Sequence, residues 1–301
     1  MIDFQDRVAV VTGAGGGLGR AHALLLASRG AAVVVNDLGG SVHGEGAATS
    51  AADGVVDEIR TAGGVAVAEY SSVADPAGGE ALVGKAIDEY GRLDILVNNA
   101  GILRDRSFAN MTVDEVDSVL AVHLRGAFHV TIPAFRHMKE HGYGRIVMTS
   151  SASGLIGNFG QANYGAAKMG LVGLMNVLKL EGAKYGIKVN AVAPIARTRM
   201  TIELLGELAD KLDPESVSPA VAYLASEACE LTGEVWSVGG GQVSRFFIGL
   251  TDGYFKHPDR QGRLTIEDVA ANLPEIRSED DYMVPFSSQD EFAKIGPMLL
   301  G

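Results

Sequence analysis

Tyr164 and Lys168 stand four residues apart in this chain, and Ser151 lies thirteen before the tyrosine. On a helix, residues i and i+4 share a face, so the phenol and the ammonium would enter one pocket. A free tyrosine loses its proton near pH ~10, too high for a base at neutral pH. A nearby ammonium favours the phenolate. Bringing that pKa to about 7 requires roughly 4 kcal/mol of differential stabilisation. Lys168 and a cationic nicotinamide ring could share that task. Ser151 would hold the substrate oxygen while Tyr164 takes or gives its proton. The chemistry is metal-free: hydride goes to a dinucleotide as a hydroxyl proton goes to Tyr164. Taken alone, Tyr-x-x-x-Lys also describes an ordinary amphipathic helix face.

A seat for the dinucleotide is written upstream. The turn Thr12-Gly-Ala-Gly-Gly-Gly-Leu-Gly19 follows an apolar run and opens a helical pattern. Its Gly13, Gly17, Leu18 and Gly19 let the chain bend tightly and bring backbone N–H groups, with the positive end of a helix, against a pyrophosphate. The spacing is Gly-x-x-x-Gly-x-Gly rather than the commoner Gly-x-Gly-x-x-Gly. In a chain with 39 glycines a merely tight turn is the competing reading. Asp37 ends the next apolar run, where an acidic side chain can accept from both adenosine ribose hydroxyls and would repel a 2′-phosphate. NAD is therefore expected over NADP. A turn-capping aspartate before Leu-Gly-Gly is the alternative.

The elements that must position these groups read as an α/β protein. Strands are predicted at Val8–Thr12, Ala32–Asn36, Val65–Tyr70, Ile95–Asn98, Gly144–Thr149, Lys188–Val192 and Val235–Val238, with helical patterns such as Leu18–Ser28, Thr112–Glu140 and Asn163–Tyr185 between them. That alternation implies parallel pairing with right-handed crossovers. Continuous apolar strands imply burial on both faces. The expectation is a Rossmann-like, doubly wound parallel seven-stranded sheet in three α/β/α layers. One dinucleotide-binding and catalytic domain would span residues 1–240. Residues 241–301 would form an extension with a short helix near Thr265–Asn272, acting as a lid, an interface segment or a mobile terminus. Residues 38–50, rich in Gly and Ser, read as a loop.

Composition narrows the function classes. Of 301 residues 47% are hydrophobic and 21% charged, so a sizeable core is expected. The net charge of −12 and the lack of a Lys/Arg run argue against nucleic acid as partner. The single cysteine, Cys229, permits no internal disulfide and suits a reducing compartment. With no apolar run near membrane-span length, a cytoplasmic protein is expected. The histidines show no metal spacing with carboxylates or cysteine.

The order of glycine turn, Asn98-Asn-Ala-Gly101, Ser151, Tyr164, Lys168 and Asn190-Ala-Val-Ala-Pro194 resembles the short-chain dehydrogenase/reductase family over roughly residues 5–240. The resemblance implies that Asn99, Ala100 and Gly101 support the cofactor and that Lys168 also bonds the nicotinamide ribose. It implies adenine-side backbone contacts at Ser72 and Val73, where relatives have Asp-Val. It places Pro194 and Thr198 near the carboxamide, with Pro-Ile here instead of Pro-Gly. His123 falls where many members carry a tetrad asparagine that holds a proton-relay water; it either keeps that role or abandons it. Longer matches, such as Val122-His-Leu-Arg-Gly126 and Gly157-Asn-Phe-Gly-Gln-Ala-Asn-Tyr164, resemble the (3R)-hydroxyacyl-CoA dehydrogenase domain of type 2 peroxisomal multifunctional enzymes (17β-hydroxysteroid dehydrogenase type 4), here without its companion domains, as in a stand-alone bacterial-type relative.

The implied reaction is NAD-dependent oxidation of a (3R)-3-hydroxyacyl-CoA in fatty-acid or sterol side-chain breakdown. Oxidation of a 17β-hydroxysteroid, reduction of a 3-oxoacyl-carrier-protein thioester, and a non-enzymatic NAD-sensing scaffold are the alternatives. Arg104, Arg106 and Arg245 are candidates for an acyl-CoA's negative charge, against solvated or ion-paired arginines. The apolar character of Thr112–Glu140 and Asn163–Tyr185 predicts subunit contacts, and the resemblance implies a homodimer or homotetramer.

Overall fold

The computed structural model describes residues 1–197 and 210–300. The chain divides into two compact units, Met1–Arg245 and Phe246–Gly301.

The first unit is built on β1 (Val8–Thr12), β2 (Ala32–Asn36), β3 (Val65–Glu69), β4 (Ile95–Asn98), β5 (Gly144–Thr149), β6 (Ile187–Pro194), β7 (Val235–Gly239) and β8 (Gln242–Phe246). Their order across the sheet is β3-β2-β1-β4-β5-β6-β7-β8. The first seven pair in parallel, in registers such as Val10 with Val34 and Val97 with Val147. The seven expected strands are all present, shifted by at most two residues at an end.

The eighth strand is a correction to the seven-stranded expectation. Gly240 and Gly241, at φ +57° and +83°, form a two-residue turn of the kind that folds a chain back on itself. The four residues Gln242–Arg245 are exposed, so no run of buried apolar residues marked them.

Helices cover both faces. Helix α1 (Gly17–Ser28) lies against α2 (Ser50–Thr61) and α8 (Ser218–Ala225) on one side. On the other, α3 (Pro76–Tyr90) packs on α5 (Gly126–His141), and α4 (Val113–Leu120) on α7 (Ala162–Gly182). A short helix, α6 (Ala152–Leu155), follows β5. The strands β1, β4 and β5 are buried along their whole length, as a sheet covered on both faces requires.

The expected helix Thr112–Glu140 is interrupted. Thr112 opens α4 with a reciprocal cap to Glu115. Five residues, Ala121–Arg125, then form a π-turn before α5 begins.

The second unit holds β9 (Leu250–Thr251) paired antiparallel with β10 (Tyr282–Met283). Its helices are α9 (Pro258–Gln261), α10 (Ile266–Ala271), α11 (Leu273–Ile276) and α12 (Ser288–Leu300). Thr265 caps α10 through Asp268, at the expected place. Among the described residues no helix is long and apolar enough to cross a membrane.

Candidate active site

The strand order reverses between β1 and β4, and such a reversal opens a crevice at the carboxyl ends of the strands. A cavity of about 520 Å³ lies there. Of the catalytic and cofactor-binding candidates within the described chain, all but Gly19 line it, and of the three candidate arginines only Arg104 does. Gly19 is buried beside it. Thr198 lies outside the described residues.

One wall is the glycine turn. Gly13 has φ +63°, and a Cβ on it would sit 2.7 Å from Ala100 Cα, so a side chain fits neither its backbone nor its surroundings. Helix α1 begins with no side-chain cap, leaving its first-turn N–H groups to a ligand. Asn99 ties the turn to β4: its Nδ2 donates to the carbonyls of Thr12 (2.9 Å) and Gly13 (3.1 Å). The hydroxyl of Thr12 in turn accepts from the N–H groups of Asn99 and Ala100. Asp37 follows β2. Its carboxylate accepts from Gly15 N at 2.8 Å and Gly39 N at 2.6 Å, so it shapes the turn as well as offering acceptors to a ribose. Ser72 and Val73 line the adjoining wall, the Val73 carbonyl held 2.9 Å from His129 Nδ1.

The opposite wall carries the reactive side chains. Ser151 follows β5 and caps α6, its hydroxyl accepting from Ser153 N. Burial pushes the Tyr164 phenol up to about 12, and the Ser151 hydroxyl acts in the opposite direction, lowering it. Lys168, one turn along α7, is buried. Its Nζ donates to the Thr149 carbonyl at 2.5 Å and lies 5.4 Å from the centre of the Tyr164 ring. Burial lowers the Lys168 pKa to about 7. The sequence brings these three groups together as expected, but the electrostatics differ from the simple pairing of phenol and ammonium. In this cleft, loss of water raises the phenol and lowers the amine, so neither group is primed by the other alone.

His123 lies in the π-turn, buried, edge-on to Tyr164 with ring centres 5.1 Å apart. Its Nε2 is 3.0 Å from Ile102 N and 2.8 Å from Ile102 O. Its Nδ1 has no partner among the described residues. Burial, and secondarily the Lys168 charge, lower its pKa to about 3, so the ring is neutral. A small void between His123 and Lys168 is bounded by Thr12, Asn98 and Leu171. His123 can fix the backbone after β4 and the face of Tyr164. A neutral, enclosed imidazole does not carry a proton to solvent by itself.

Sequence reasoning missed a polar cluster in the cavity wall, to which Ser153, Asn158 and Gln161 contribute. Gln161 is buried, donates to Asp105 Oδ2 (2.6 Å) and accepts from Ser153 Oγ and Asn158 Nδ2. Its place three residues before Tyr164, one turn back on the same face, was the available signal. The three arginines considered for an acyl-CoA are each ion-paired within the chain: Arg104 to Glu45, Arg106 to Glu115, Arg245 to Glu234. Among the described residues no group of three or more His, Cys, Asp or Glu could hold a metal ion.

Comparison with known proteins shows the family to which the fold belongs. The family model described as short chain dehydrogenase matches residues 7–207. A short-chain type dehydrogenase/reductase of Mycobacterium tuberculosis is 54% identical over 278 residues, covering 92% of this chain and 96% of the relative. A hydroxyacyl-CoA dehydrogenase of the same organism, ChsB1, is 43% identical over 262 residues, 80% of each chain. The structure of full-length peroxisomal multifunctional enzyme type 2 from Drosophila melanogaster superposes with a TM-score of 0.82 at 40% identity. It covers 99% of this chain, which spans 50% of that longer one.

Proposed function

This chain belongs to the short-chain dehydrogenase family, and on that premise we propose that it oxidises a (3R)-3-hydroxyacyl-CoA to the 3-oxoacyl-CoA with NAD. The observation that carries the reading is that Ser151, Tyr164 and Lys168 face a glycine turn across one cavity. The likeness to a hydroxyacyl-CoA dehydrogenase supports the substrate class. Breakdown of fatty acids or sterol side chains, in the cytoplasm, is the proposed setting.

The family generally uses NAD or NADP, and the residues fit such a group. Gly13 leaves a hollow that a Cβ would fill, α1 has no capping side chain, and Asp37 adds a carboxylate at the cavity wall. That negative charge supports NAD over NADP, because it repels a 2′-phosphate. When bound, the dinucleotide supplies the hydride acceptor. Ser151 then holds the substrate oxygen, and Tyr164 receives the hydroxyl proton as the carbon gives up its hydride. Tyr164 has to be ionised for this, and burial opposes ionisation, so positive charge must be near it. Lys168, held by the Thr149 carbonyl, is the protein's own source of that charge. Rising pH ionises Tyr164 but also discharges Lys168, whose pKa burial lowers to about 7, so oxidation is expected to pass through a maximum as pH rises.

The exposed apolar side chains Phe128 and Ile132 on α5, and Met169, Val177 and Leu180 on α7, support a homodimer or homotetramer formed through these helices.

The test is a steady-state comparison of 3-hydroxyacyl-CoAs of graded length, a 17β-hydroxysteroid and a 3-oxoacyl-carrier protein, each with NAD(H) and NADP(H). The expected result is the highest kcat/KM for a (3R)-hydroxyacyl-CoA with NAD. Preference for the steroid or the carrier protein replaces the substrate assignment, and NADH binding without turnover of any substrate favours a sensor.

A further inference from the structure

We propose that the loop after β2, residues 38–48, is a strap latched across the dinucleotide seat, and that Glu45 and His43 are positioning residues which slow cofactor release. The inference rests on the cofactor reading above and adds a gate to it.

The thirteen residues between β2 and α2 are longer than most connections in such a fold, and loops of this length are usually functional or disordered. This one is ordered by its own bonds. At its neck, Ala48 N donates to Leu38 O at 3.0 Å. A Cβ on Gly39 would meet Ala48 O at 1.9 Å, so the two limbs touch backbone to backbone. Further out, Ser41 N donates to Glu45 O (2.8 Å), Gly44 N to Ser41 O (2.9 Å), and the Ser41 hydroxyl accepts from the N–H groups of His43 and Glu45. Closed ends and an internally bonded tip make a compact Ω-loop.

The tip does not rest on its own strand. It reaches the segment after β4. Leu103 N donates to Val42 O at 2.9 Å. His43 Nδ1 lies 3.1 Å from Leu103 O, and Arg104 pairs with Glu45 at 3.3 Å. Gly44 lies against the side chain of Ile102. The strap and the segment it reaches both line the cavity, together with the glycine turn. The loop thus bonds, through its tip, to a second segment of the cavity wall. A dinucleotide seated on the glycine turn would lie inside a ring closed by these tip contacts, and could leave readily only when they part.

The test measures release rather than turnover. The protein is loaded with NADH, mixed rapidly with excess NAD, and the fall in NADH fluorescence is followed. Replacing Ser41–Gly46 by two glycines removes the latch, and release is expected to accelerate by about tenfold or more, because changes at an interface appear mostly in the dissociation rate. Glu45→Gln and His43→Ala, whose folds are disturbed least, should each accelerate release by about two- to threefold, since an exposed ion pair contributes little. Amide hydrogen exchange at residues 41–46 should slow when NADH is bound, and thermal melts should show that every variant folds. If NADH binds the parent protein and leaves all three variants at the parental rate, the strap is overturned alone. If the parent protein binds no NADH, the cofactor reading fails and the strap fails with it.

Discussion

The two ends of the central sheet treat their polar groups in opposite ways. At the amino-terminal end, Asp94 precedes β4 with its side chain only 4% exposed. It accepts from Arg7, from the Val8 N–H and twice from Arg92. Buried Arg145 donates to the carbonyls of Gly144, Gly186 and Ser226, and the guanidiniums of Arg7 and Arg145 both lie over the Tyr143 ring. At the carboxyl end the account is left open. Of three buried side-chain polar atoms without a partner among the described residues, His123 Nδ1 and Thr149 Oγ1 belong to residues of the cavity wall. The third, on His22, belongs to the contact of α1 with α8, where Ser218 satisfies only one of the two ring nitrogens. Buried polar groups normally find partners, and those that do not call for an explanation. At the satisfied end the groups hold strands together. At the open end, two side-chain atoms of cavity-wall residues have no partner among the described residues.

This contrast can be broken by mutation, with the largest effect first. Tyr164→Phe keeps the packing and removes the proton acceptor. Turnover is expected to fall by about 10²–10⁴-fold, with NADH affinity and melting temperature unchanged in fluorescence titration and calorimetry. Asp94→Ala should do the reverse. The buried Val8 N–H loses its acceptor, and an unsatisfied buried donor costs about 1–3 kcal/mol, read as a lower urea midpoint, while NADH affinity stays at the parental value. If Asp94→Ala weakens NADH binding as strongly as it weakens folding, the two ends are not separate in function.

Asp37 stands between the two classes, because it both shapes the turn and faces the cavity. Charged hydrogen bonds contribute about 1.5–3 kcal/mol, so Asp37→Ala should weaken NADH binding by roughly tenfold or more while leaving NADPH less affected. Equal losses for both cofactors would mean that Asp37 acts through the turn alone.

The last effect, absent at neutral pH, is a pH dependence of stability. His22 and His123 have folded-state pKa values lowered to about 3, each chiefly by burial. An unfolded histidine titrates near ~6.5. The unfolded chain therefore binds more protons below that pH, and stability is full above it and declines as pH falls toward about 3. Each residue contributes up to about 1.4 kcal/mol per pH unit in that window. His22→Gln should flatten the decline in denaturant titrations between about pH 6 and 4. An unchanged slope would mean that the His22 ring takes a proton without unfolding.

How much of this was written openly in the sequence follows from how local each feature is. Val8–Thr12 and Ala32–Asn36 were placed to the residue because a strand buried on both faces is a short unbroken apolar run. Tyr164 and Lys168 share a face by helical spacing alone. Asp37, too, was found from its place at a strand end, although its bonds to Gly15 and Gly39 were not. What escaped depends on distant partners. The strap looked like a Gly- and Ser-rich loop because its order comes from Leu103 and Arg104, some sixty residues away. The expectation that Lys168 would acidify Tyr164 counted charge and left out water. Burial of both groups reverses the sign for the free protein.

The π-turn at Ala121–Arg125 has a consequence for inheritance as well as for geometry. Such a turn carries one residue more than regular winding needs, and π-bulges recur at functional positions. Deleting a single codon there would let α4 and α5 join as one regular helix. Residues on either side would keep nearly the same angular phase, because the wide turn absorbs its extra residue. The same deletion one turn away, in the regular part of α4 or α5, would swing one half of the helix against the other by about 100°, since one residue is 1/3.6 of a turn. A lost codon at Ala121 or Val122 would therefore spare the flanking helices and remove only the local widening in which His123 sits against Ile102 and Tyr164.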